Sequence, residues 1–154
     1  MTLQERLGYE NQILKQDGLS QFLVYNDSPK NSYYLWGEHR TNIGKAYTIW
    51  SPIPSNYPYS YPPVYIYKPN PLIGYAGLKT INSYGNNGTS HDMHTLSNGP
   101  NGEVQICHWR QNRWHSGITL NKVILKVILW LEAYEQHLVT GQSINEFVRT
   151  MQEL

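Results

Sequence analysis

At 154 residues the chain has the length of one ordinary domain, enough to close a hydrophobic core without disulfide or metal staples. Its formal net charge is +1 and it contains no basic block, so the electrostatic footprint of a nucleic-acid binder is missing. The longest apolar run, residues 123–131, is too short to span a bilayer and is interrupted by Lys126, and residues 1–6 lack the pattern of a secretory signal. The expectation is a single domain over residues 1–154, cytoplasmic, with neither nucleic acid nor membrane among its partners.

In chain order, Leu3, Leu7, Ile13 and Leu14 fall at helical spacing among polar residues, which predicts an amphipathic helix over residues 2–17 with Gly18 as its stop. Four runs of strand-forming residues follow, 21–25, 32–37, 46–50 and 64–67, separated by Asn, Asp, Ser, Pro and Gly. Their short connections favour an antiparallel meander, since a parallel crossover needs a dozen or more residues. Thirteen Tyr and five Trp stand against two Phe, with many of the Tyr between Tyr25 and Tyr84. Rings that keep a wet hydroxyl suit half-exposed strand surfaces.

Residues 69–102 read as irregular and glycine-rich, a length of loop that is usually functional or disordered. Thr119 is the expected N-cap of a helix running to about His137, apolar almost all round through Leu120, Val123, Ile124, Val127, Ile128, Leu129 and Leu131, which predicts a buried helix crossing the sheet. A short helix over residues 143–151 would use Ile144, Phe147 and Val148.

The chain has one cysteine, Cys107, which cannot form an internal disulfide and leaves a thiol free for chemistry. A thiol suits acyl carriage because it is a strong nucleophile near neutral pH and its thioester stays reactive to amines. Four of the six histidines, His91, His94, His108 and His115, lie within sixteen residues of it and are candidates to tune the thiol or to take a proton from an incoming amine. The spacing of His91, His94, Cys107 and His108 matches no standard zinc pattern. Trp109 and Trp114 read as packing walls of the site.

Three segments in order resemble one family. Residues 56–66, with Tyr57-Pro58-Tyr59 leading to Pro62-Pro63-Val64, are similar to the "YPF-x-x-PP-x-V-x-F" segment of ubiquitin-conjugating enzymes. Gly102 to Cys107 resembles that family's "G-x-I-C" approach to its catalytic cysteine, and Trp114 to Leu120 its "W-x-P-x-x-T-I", with Ser116 in place of the proline. The resemblance covers residues 3–137 and implies an α+β fold: an N-terminal helix, a four-stranded antiparallel meander, an active-site loop and a crossover helix. It also implies that Cys107 is catalytic, forming a thioester.

The family's His-Pro-Asn triplet is absent as such; residues 91–98 lie in its place. His94 is then the candidate histidine. Asn98, with Asn101 second, is the candidate for the asparagine that in the family stabilises the oxyanion.

Divergence of this kind resembles the stand-alone conjugating-enzyme-like proteins of bacterial anti-phage operons of the CBASS type. It implies a partner protein with a C-terminal glycine, either a cGAS/DncV-like nucleotidyltransferase or a ubiquitin-like protein, an activating enzyme as a further candidate partner, and no cofactor. Two other readings stay open: a non-catalytic interaction module of RWD-like fold, and a Cys-His hydrolase using Cys107 and a nearby histidine.

Overall fold

The computed structural model describes residues 1–152, with side chains to residue 148. Helix α1 (Leu3–Gln16) starts with a capping box in which Thr2 Oγ1 accepts the Glu5 N–H at 3.1 Å and the Glu5 carboxylate accepts the Thr2 N–H. It buries Leu7 and Leu14 and also a carboxylate, Glu10.

Strands β1 (Phe22–Asp27), β2 (Ser32–Arg40), β3 (Ala46–Ile53) and β4 (Val64–Lys68) form the predicted antiparallel meander. The sheet is wider than the four strands expected. Two short strands, β5 (Thr95–Leu96) and β6 (Gln105–Ile106), extend it in the order β1-β2-β3-β4-β6-β5. They come from the end of the stretch read as irregular and from the approach to the cysteine, where two-residue strands leave no periodicity to read.

Alternation along the strands turns Phe22, Leu35, Tyr47, Ile49 and Ile66 inward. Gly37 is required by this packing, because it pairs with Phe22 and a Cβ there would sit 2.3 Å from the Phe22 ring. Tyr25, Tyr34, Trp36, Trp50, Tyr65 and Tyr67 occupy the other face in pairs such as Trp36 with Tyr67, ring centroids 4.8 Å apart.

Helix α2 (Leu120–Thr140) lies on the inner face, where Leu120, Val123, Ile124, Val127, Trp130, Leu131 and Tyr134 join one core with the strand residues. It runs three residues past the predicted end and stops at Gly141, whose left-handed backbone lets its N–H reach the His137 carbonyl. Burial is not all round. Leu125 and Leu129 form an exposed stripe at i, i+4 spacing and Ile128 is only half-buried, because α1 and α3 (Ile144–Gln152) flank α2 without enclosing it.

Thr119 does hold the N-cap position, but its hydroxyl turns to the Asn121 side chain. The helix end is met instead by Glu10, whose Oε2 accepts the Leu120 N–H at 2.8 Å.

The long stretch 69–102 is held against α2 and α3 at several points. Tyr134 Oη donates to the Ile73 carbonyl at 2.7 Å, Trp130 Nε1 to the Met93 carbonyl at 2.9 Å, and the Asn145 N–H to the Asp92 carbonyl at 2.7 Å. The last two fix the backbone that leads into His94. Among the described residues no helix is long and apolar enough to cross a membrane.

Candidate active site

Cys107 follows β6 directly, and its N–H donates to the His94 carbonyl at 2.9 Å, which continues the β5–β6 ladder by one step. The ladder therefore brings together two residues thirteen positions apart. The thiol is half-buried and donates weakly to the Trp109 carbonyl at 3.5 Å. Burial raises its pKa, and the Arg110 guanidinium works against that rise. Resting Cys107 is a protonated thiol.

His94 closes the turn 91–94 in a left-handed conformation, φ 51°, with its N–H bonded to the His91 carbonyl. Its Nε2 pairs with Asn145 Oδ1 at 2.7 Å; the amide oxygen only accepts, so Nε2 carries the proton and Nδ1 is left as the acceptor. Burial lowers the His94 pKa; the Asn145 bond opposes this, while His91 and Arg110 add to it. The ring is a neutral imidazole at pH 7. His94, Asn145 and Cys107 line one cavity of about 500 Å³ together with Arg110, Trp109 and His91.

The other sequence candidates are dispersed. Asn98 does not line this cavity: it is exposed, its N–H donates to the Asn87 carbonyl at 3.0 Å, and its carboxamide fills the space where a side chain at Gly88 would stand. Tight packing on Gly88, whose φ is +88°, gives Asn98 a place in the turn 86–89 rather than beside the thiol. Asn101 donates its N–H to Glu103 at 2.6 Å and lines a different hollow.

His108 points into the core, stacks on Tyr61 at 4.4 Å and donates from Nε2 to the Pro62 carbonyl at 2.8 Å. Burial pushes its pKa down to about 4. His115 is exposed, and its Nδ1 accepts the Gly117 N–H. Trp114 packs on Tyr57, Tyr61 and His108 and bonds the Pro58 carbonyl through Nε1. Trp109 borders the thiol's cavity and lies under Lys126.

Among the described residues no three His, Cys, Asp or Glu side chains converge as a metal site would need. A larger hollow of about 750 Å³ lies on the outer aromatic face of the sheet, and Cys107 is not part of its lining.

Asn145 and Arg110 are the site residues that sequence reasoning did not single out. Arg110 stands three residues after Cys107 and was readable as a nearby charge, whereas Asn145 is thirty-eight residues away on α3 and is brought in by the packing of α3 on α2 and by its bonds to Asp92 and His94. No family model matches the chain, and neither a curated protein nor a solved structure matches it.

Proposed function

We propose that the protein is an acyl carrier and transferase of the ubiquitin-conjugating type, with Cys107 holding the C-terminal glycine of a partner protein as a thioester. The observation that carries this reading is the shared cavity, in which a half-exposed thiol stands beside a neutral, oriented imidazole. The Cys107 sulfur attacks an activated glycine carbonyl and displaces that acyl group's leaving group, which departs with the thiol proton. A lysine or other amine then attacks the same carbon, the new amide forms, the thiolate leaves, and His94 takes the amine proton on Nδ1. Asn145 holds the ring so that Nδ1 is free for this.

The raised thiol pKa suits a carrier more than a fast nucleophile, because a thioester shielded from water survives until an amine arrives. The partner class is the one implied by the sequence resemblance: a cGAS/DncV-like nucleotidyltransferase or a ubiquitin-like protein, in an anti-phage setting.

The His94–Asn145 pair also favours a second reading, a Cys-His hydrolase in which an amide orients the base. The two readings share the acyl-cysteine and differ in what attacks it. Protein loaded at Cys107 from a glycine-terminated peptide thioester is followed by intact mass with and without free lysine. Discharge only with lysine, yielding the lysyl amide, supports the carrier. Equal discharge to free acid without lysine supports the hydrolase.

A further inference from the structure

A smaller cavity of about 320 Å³ is lined by His108, Trp109, Arg110, Arg113 and Lys126. Trp109 and Arg110 line the Cys107 cavity as well, so the two hollows share a wall. Three of the five lining residues carry permanent positive charge, and no Asp or Glu lines either cavity.

The described ion pairs involve Arg6, His39 and Arg40, and none involves Arg110, Arg113 or Lys126. Lys126 lies over an uncharged partner, with Nζ 4.8 Å from the centroid of the Trp109 ring. His108 adds an uncharged wall, its Nε2 proton committed to the Pro62 carbonyl. The whole chain has twelve Lys and Arg against eleven Asp and Glu, so this is a local imbalance and not the overflow of a basic protein. Gathering like charges without counter-charges opposes folding and is relieved by a negatively charged partner.

We infer that this groove binds an acidic segment of the protein whose acyl group Cys107 carries, with carboxylates of that segment engaging Arg110, Arg113 and Lys126. The inference rests on the acyl-carrier reading, which is what brings a polypeptide to the shared wall. Arginine forks match carboxylates in two-point geometry, and the pair Arg110 and Arg113 supplies two of them three residues apart. Single-stranded nucleic acid fits the groove less well, since base stacking needs an open aromatic face and Lys126 covers that of Trp109.

The test is titration calorimetry of the reduced full chain with a capped glutamate-rich peptide, its glutamine counterpart and a single-stranded DNA oligonucleotide. The glutamate peptide should bind at least about tenfold more tightly than the glutamine one, and added salt should weaken it. Arg113→Glu and Lys126→Glu, which leave Arg110 beside the thiol, should each abolish that preference. Arg113→Gln should lower it while leaving Tm unchanged or higher, which separates lost binding from lost folding.

Equal binding of the two peptides overturns the inference, as does a preference for the oligonucleotide. The capped peptide cannot acylate Cys107, so these outcomes are independent of the thioester. If the glutamate peptide binds while Cys107 is never acylated by a peptide thioester, the carrier reading fails and the link drawn here fails with it.

Discussion

Glu10 and Cys107 are both polar groups drawn into the fold, and their surroundings treat them in opposite ways. Glu10 Oε2 receives the Tyr57 hydroxyl at 2.6 Å and the Leu120 N–H at 2.8 Å, while Arg6 Nε lies 3.5 Å from Oε1. Arg6 in turn donates to the Ser116 carbonyl at 3.1 Å, so one cluster ties α1, the Tyr-Pro segment and the start of α2 together. Cys107 has a single weak acceptor at 3.5 Å and opens on a cavity. Glu10 collects two hydrogen bonds on one oxygen and an ionic contact on the other, whereas the Cys107 thiol keeps its bonding capacity in reserve.

The comparison breaks most visibly at Glu10. Glu10→Ala strands the Tyr57 hydroxyl and the Leu120 N–H and takes from Arg6 its carboxylate, and removing one partner of a buried ionic cluster costs about 3–5 kcal/mol. That is a large share of the roughly 5–15 kcal/mol of a whole domain. Urea unfolding should show the loss, and a change under about 1 kcal/mol would mean that the cluster is not a lock.

His108 gives the next effect. Its pKa is about 4 folded against 6.5 for an ordinary histidine, so between those values the unfolded chain binds a proton that the folded chain excludes. Stability is complete above pH 6.5 and falls as the pH drops toward 4, by ~3 kcal/mol in all. Urea midpoints across that window should fall in the wild type and fall much less in His108→Phe; parallel slopes would remove His108 as the cause.

At the reactive end the effects move from stability to rate. Asn145→Ala should leave thioester formation near wild type and slow transfer to lysine about tenfold, because it frees the His94 ring to lose its orientation. Asn98→Ala should leave both steps unchanged. Single-turnover discharge assays separate the two, and equal rates for Asn145→Ala and wild type would remove the His94–Asn145 pair from the chemistry. The smallest change in stability is expected from Cys107→Ser, less than about 1 kcal/mol in urea unfolding, since the thiol is half-buried outside the core. A loss as large as that of Ile124→Ala, about 2–5 kcal/mol, would make the cysteine a core residue.

The meander was legible because its strands are long enough to show alternation and its connections short enough to forbid crossovers. Strands β5 and β6 were not, since two residues carry no period and their pairing is decided by what β4 offers at Val64 and Tyr65. Cys107 and His94 could be picked out as residue types near one another in sequence. Asn98 stood equally well by position, but the packing of its carboxamide on Gly88 is a tertiary fact. The amide that reaches His94 belongs to α3, and nothing local to residues 91–107 points there. Glu10 was hidden for the same reason, as one more acidic residue on an amphipathic helix until the N-terminus of α2 is laid against it.

The central claim is that Cys107 accepts an acyl group. Purified protein incubated with a glycine-terminated peptide thioester and examined by intact mass under acidic, thiol-free conditions tests it directly. One acyl adduct is expected, mapped to Cys107, released by added thiol and absent from Cys107→Ala. A folded wild-type protein that gains no adduct, or gains it equally in Cys107→Ala, would contradict it.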